Sequence, residues 1–138
     1  MKLSENFSLA EMTKSQTALR KGIDNIPDQT SIDNMAKLCT EILQPVRDHY
    51  GIPFTPSSGY RCPELCIAVG SNIKSQHAKG QAADFEVPGI SNMELAEFII
   101  ETLPFDQLIL EFFTGGNTGW VHCSYVHEPR KEVLTYDR

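Results

Sequence analysis

The stretch Ser75-Gln76-His77-Ala78-Lys79-Gly80-Gln81-Ala82-Ala83-Asp84-Phe85 sets an imidazole and a carboxylate on either side of a glycine turn. A second imidazole follows in Gly119-Trp120-Val121-His122-Cys123-Ser124-Tyr125. A fold that uses these groups must carry His122 back to His77 and Asp84, which constrains the topology more than any other feature of the chain. Two neutral imidazoles and one carboxylate are a common ligand set for a catalytic zinc, which keeps its fourth position open for water. Alone, His77 reads as a polar loop residue and His122 as a satisfied histidine on a sheet. With Asp84 they read as a metal site, because binding a divalent ion repays the placing of three such groups on one face. His49 and His127 lack such partners and are expected on the surface.

The surrounding elements follow from periodicity and punctuation. Ser8 with Glu11 forms a capping box that starts a short helix at Leu9. Lys21 to Thr30, with Gly22, Asp24, Asn25 and Pro27, reads as a surface loop. From Ser31 to about Tyr50, Ile32, Met35, Leu38, Cys39, Ile42, Leu43 and Val46 recur at helical spacing and predict the main core helix, kinked by Pro45 and ended by Gly51. Ser57 to Arg61 reads as a strand end, and Pro63 suits the first position of a helix reaching about Val69, with Cys62 at its cap. Gln81 to Val87 alternates as a half-buried strand, with Asp84 facing away from the Phe85 side. Ser91 with Glu94 predicts a second capping box and a helix that ends before Pro104. Gln107–Phe113 and Trp120–Val126 predict a hairpin across the glycine-rich loop 114–119, and a last short strand is expected at Glu132 to Tyr136. Helices with a small, mainly antiparallel sheet packed against them make the expected class α+β, in one domain spanning 1–138.

Composition narrows the function classes. A net charge of −6 argues against a nucleic-acid surface, which would want clustered Lys and Arg. The opening Met1-Lys2-Leu3-Ser4-Glu5-Asn6-Phe7 lacks the apolar core of a signal peptide, and no later run is long enough to span a bilayer. No membrane partner is therefore expected, and any export would use another route. Cys39, Cys62, Cys66 and Cys123 are expected as reduced, buried thiols, since the chain is too rich in core residues to need a disulfide scaffold. Cys62-x-x-x-Cys66 as half of a structural zinc site lacks a matching pair elsewhere.

Ser75-x-His77-x-x-Gly80-x-Ala82-x-Asp84, followed by Trp120-x-His122, resembles the signature of the M15 peptidases, the zinc D-alanyl-D-alanine carboxypeptidases and phage-type peptidoglycan endopeptidases. Ser58-Gly59-Tyr60-Arg61 and Gly22-Ile23-Asp24-Asn25 are similar to the shorter, single-domain branch of that family. The resemblance implies a Hedgehog/D-Ala-D-Ala peptidase-like fold with the zinc site on the sheet face. His77, Asp84 and His122 would be the ligands, and Arg61 a cation near the scissile carbonyl. It further implies a monomer acting on a peptidoglycan stem peptide of the cell wall, held in the cytoplasm until released. A module that keeps the metal fold but has lost catalysis is the alternative.

The departure from the family pattern concerns the general base. The family's commonest base is a Glu three residues before the last His, and here that position is Gly119. Another branch has a His five residues before, and here that is Asn117. Glu111 is the remaining candidate. If Phe113 pairs with Trp120, Glu111 falls opposite His122 with Cβ atoms roughly 5 Å apart, placing it either as base or as a carboxylate that hydrogen-bonds a metal ligand. A guanidinium at Arg61 can fork two hydrogen bonds onto an oxyanion or a substrate carboxylate. Ser75 is expected to tie down its loop or touch substrate. Trp120 is expected to wall the cleft or to fill the sheet core.

Overall fold

The computed structural model describes residues 1–115 and 118–136. Its helices start where short polar side chains reach the first free backbone donors. Ser8 and Glu11 make the full capping box of α1 (Leu9–Thr13). Ser15 caps α2 (Gln16–Lys21), a helix absent from the expectation because two turns are too short for a legible period. Asp28 caps α3 (Gln29–Leu38), which therefore begins before the Ser31 expected from the apolar stripe.

The bend expected at Pro45 takes the form of a π-helical segment, Cys39–Leu43, leading into α4 (Gln44–Tyr50). Proline has no N–H and its ring crowds the carbonyl four residues back. The wider turn, in which Gln44 N donates to Cys39 O, relieves that crowding without breaking the helix. Met35, Leu38, Cys39, Ile42, Leu43 and Val46 are all fully buried, as the stripe requires. α5 (Pro63–Ala68) starts at its proline with no side-chain bond from Cys62. α6 (Asn92–Thr102) is capped by Ser91 Oγ accepting from Glu94 N at 3.1 Å, one half of the expected box. No helix among the described residues is long and apolar enough to cross a membrane.

The sheet holds β1 (Ala82–Phe85), β2 (Gln107–Glu111), β3 (Trp120–Ser124) and β4 (Glu132–Thr135) in the order β1-β3-β2-β4. β3 is antiparallel to both β1 and β2, while β4 runs parallel to β2. The expected α+β class with a mainly antiparallel sheet is what the structure shows. One face carries Ala83, Phe85, Leu108, Leu110, Val121 and Cys123 into the core against the helices. On the other face Asp84, His122 and Ile109 stand in one row across three strands, with Trp120 and Glu111 in the next. β1 is buried on both faces rather than half-buried, and the extended segment 57–61 bridges to its outer edge at Ser58 and Asp84. Ser57 N donates to Asp84 O (2.9 Å) and Asp84 N to Ser58 O (2.8 Å).

The hairpin register differs from the expected one. Glu111, not Phe113, pairs with Trp120, and His122 lies opposite Ile109. Phe112 leaves the strand with φ 52°, and Gly119 turns at φ 66° with its Cα packed against the Glu111 carbonyl, where a Cβ has no room. That close approach locks β2 to end at Glu111. Because the shift is two residues, Glu111 stays on the His122 face but sits diagonal to it, at roughly 7 to 8 Å rather than directly across.

A candidate metal centre on the open face of the sheet

His77 reaches the sheet from a 3-10 turn, Gln76–Lys79. Ser75 caps that turn, its Oγ accepting from His77 N at 3.0 Å. The turn is fastened on two further sides. His77 O accepts from Arg61 N (3.0 Å), and Gln76 Nε2 donates to Asp106 Oδ2 (2.8 Å). Asp106 is itself clamped by Arg130, whose backbone N, Nε and Nη2 all donate to it.

The fold brings the three expected ligands together. One donor atom each from His77, Asp84 and His122 lie within 4.8 Å of one another, and all three residues are buried. Asp84 Oδ1 is 2.9 Å from His122 Nδ1 and 3.3 Å from His77 Nε2. His77 Nδ1 lies 2.7 Å from Gly59 O. A carbonyl oxygen can only accept, so Nδ1 carries a proton and Nε2 is the nitrogen left to face Asp84 and the cluster. Burial alone would push the Asp84 carboxyl up, but hydrogen bonds from His122 and His77 and their positive character outweigh it and hold the group well below the usual carboxylate range. Asp84 is thus an anion at neutral pH. Two imidazoles and one carboxylate, with one tautomer fixed from outside, fit a zinc ion in ligand type, number and proximity.

Around this cluster lies a cavity of about 310 Å³ lined by Arg61, Ser75, Gln107, Glu111 and Trp120 together with the ligands. Every residue assigned to the site by sequence therefore lines one space. Arg61 Nε donates to Ser58 Oγ (2.9 Å) and Nη2 approaches Asp84 Oδ2 at 3.4 Å, while Nη1 has no hydrogen-bond partner among the described residues. Trp120 is half-buried and packs its ring on Phe112 (centroids 5.0 Å apart), so it is a cleft wall rather than a core residue. Asn117, one of the two positions where the family pattern has a base, lies outside the described residues; Gly119, the other, is filled by backbone. His49 and His127 are exposed and neither lines the cavity, His49 stacking on Phe98 at 3.9 Å. All four cysteines are buried and unpaired.

The peptidase M15 family model matches residues 5–124. The chain belongs to the peptidase M15 family. The match runs from before α1 to the end of β3, so it covers every residue of the cluster and of the cavity lining. A search of curated proteins gives no match.

One positioning residue of this M15 chain escaped the sequence reading. Asn25, placed in a surface loop, accepts from Cys62 N (2.8 Å) and donates to Thr13 O and Tyr60 O (both 2.9 Å). It thereby ties the Arg61 segment to the end of α1. The Gly22-Ile23-Asp24-Asn25 resemblance was the one signal pointing to it.

Proposed function

We propose that this chain is a zinc-dependent peptidase that hydrolyses a D-amino-acid-containing bond in peptidoglycan stem peptides, as an endopeptidase rather than a D-Ala-D-Ala carboxypeptidase. The observation that carries this reading is the convergence of His77, Asp84 and His122 in one cavity with Arg61 and Glu111. Held by the two imidazoles and the Asp84 carboxylate, zinc would supply a Lewis acid that polarises a carbonyl and acidifies water. Glu111, on the same sheet face, takes a proton from the attacking water and returns it to the leaving amine. Arg61, with Nη1 uncommitted, holds the developing oxyanion or a substrate carboxylate. Trp120 walls the cleft and orients the peptide, and Ser75 keeps the His77 turn in place. The protein acts as a monomer on the cell wall, after release from the cytoplasm, and binds neither nucleic acid nor membrane.

The preference for internal cleavage rests on the loop 115–119, which carries no bulky or cationic side chain to cap one end of the cleft. Gly119 in place of the family's usual Glu favours a second reading, a wall-binding module without catalysis. The experiment is zinc analysis of the purified protein with mass spectrometry of products from defined stem peptides and isolated cell wall. Internal fragments from a zinc-loaded sample are expected. Full zinc occupancy with no cleavage of any substrate would sink the enzyme reading. Loss of only a terminal D-alanine would overturn the endopeptidase choice alone.

A further inference from the structure

The cavity around the metal cluster has two polar ends. β2 presents Gln107, Ile109 and Glu111 to it in turn, with Ile109 opposite His122 in the middle. Gln107 therefore lies across the metal row from Glu111, roughly 13 Å away along the strand. Gln76 also lines the cavity and reaches the Gln107 end, because its Nε2 donates to Asp106, the residue before Gln107.

Each of these two glutamines is held by a carboxylate. Gln76 Nε2 is 2.8 Å from Asp106 Oδ2, and Gln107 Nε2 is 2.6 Å from Glu132 Oε1. An ionised carboxylate only accepts, so in both amides the nitrogen is the committed atom and Oε1 is left over. Neither Oε1 has a hydrogen-bond partner among the described residues, and neither is buried. The anchors are themselves fixed. Arg130 clamps Asp106, and Glu132 N donates to Asp106 O at 2.9 Å. Gln107 N donates to Ser124 Oγ at 3.0 Å. Residues 130–132 thus set both amides, and both present the same polarity.

Two open acceptors, each with its own donors turned away, suit a single nitrogen that brings several N–H groups. A primary ammonium brings three, and its charge strengthens each bond to a carbonyl. The Glu132 carboxylate behind Gln107, in a chain of net charge −6, favours the cation further.

We propose that this end of the cavity is an ammonium-binding subsite, in which Oε1 of Gln76 and Oε1 of Gln107 accept from a primary amine of the ligand. The proposal rests on the peptidase reading above and deepens it: the substrate is a peptide with a free amine, on a side chain or at its terminus, held across the metal row from Glu111. Gln107 is then a specificity-determining residue, and Glu132 a positioning residue that acts through it.

The test is an NMR titration of the isotope-labelled, zinc-loaded protein with three dipeptide amides. Acetyl-L-lysyl-D-alanine amide carries a side-chain ammonium, L-norleucyl-D-alanine amide a terminal one, and acetyl-L-norleucyl-D-alanine amide none. One of the two ammonium probes is expected to bind about tenfold more tightly than the neutral probe, which identifies the source of the amine. It should also shift the side-chain amide signals of Gln76 and Gln107. Gln107→Met should remove most of that preference, with zinc stoichiometry and the rest of the spectrum unchanged. Glu132→Gln, at an exposed position, should lower the preference because it frees the Gln107 amide to turn, and it carries the test alone if Gln107→Met does not fold. Equal affinity for all three probes, or a preference that either folded variant retains in full, would overturn the subsite. Ammonium-selective binding with no cleavage of any stem peptide would support the subsite and remove the peptidase reading. Equal kcat/KM for stem peptides with free and acetylated amines would overturn the subsite and leave the peptidase standing.

Discussion

His77 Nδ1 sits 2.7 Å from the carbonyl oxygen of Gly59, and this one bond decides which nitrogen the metal site receives. Gly59 can hold its carbonyl there only because it lacks a side chain. A Cβ at this position would run into the Met12 carbonyl, backbone that cannot swing aside. The strand-like segment that carries Arg61 is thus pressed against α1 on one side and the His77 ring on the other.

The first prediction follows from that contact. Gly59→Ala must displace the segment, loosening the His77 ring and freeing its tautomer. Outer hydrogen-bond partners of ligand histidines are typically worth about 10- to 100-fold in metal affinity. A loss of about that size is expected in a competition titration against a chromophoric chelator. Unchanged zinc affinity in a folded variant would show that the Gly59 carbonyl does not set the ring.

Glu111 carries the second prediction. Its strand position puts it on the face of His122 and in the same cavity, but not directly opposite. Glu111→Gln keeps the shape and removes the base, so kcat should fall by about 10² to 10⁴, the usual contribution of a positioned general base. Zinc stoichiometry and thermal midpoint should stay near wild type. Activity within a few-fold of wild type would assign Glu111 to holding a ligand, or would move the base elsewhere.

What was legible in the sequence, and what was not, divides by the range of the interaction. His77, Asp84 and His122 could be grouped because each ligand type is rare on a random face and their spacing matched a known pattern. Helix starts at Ser8 and Ser91 were legible because a cap acts within one turn. The hairpin register was not, since it depends on Phe112 adopting a positive φ, for which a bulky aromatic gives no sequence signal. Asn25 was read as a loop residue because its partners, Thr13, Tyr60 and Cys62, are distant in sequence. The parallel pairing of β4 with β2 was unreadable for the same reason. Parity rescued the site: a two-residue slip leaves Glu111 on the predicted face, where a one-residue slip would have buried it.

The third prediction concerns acid stability and the Asp106 clamp. Asp106 receives hydrogen bonds from the Arg130 guanidinium first, then from Arg130 N and Gln76, which together outweigh its burial and draw its carboxyl down to about 2. An unfolded Asp titrates near 3.9. The folded value is the lower one, so the unfolded state binds the proton more readily and stability must fall as pH falls. The contribution is fully present above roughly pH 4 and is lost progressively between about 4 and 2. Arg130 is 57% exposed, so water and salt screen part of the pair, and the effect should shrink at high ionic strength. Asp106→Asn cannot ionise and should lack this dependence. The measurement is the urea midpoint of wild type and variant from pH 6 to pH 2. The wild type should be the more stable at pH 6 and the two curves should converge toward pH 2. Parallel curves over the whole range would show that the clamp on the Gln76 turn owes nothing to the charge of Asp106. The same variant reports on the site, because Gln76 would lose a charged acceptor one residue from His77. A fall in zinc affinity at neutral pH with the midpoint nearly unchanged would mark Asp106 as a positioning residue for the cluster, rather than a stabiliser of the fold alone.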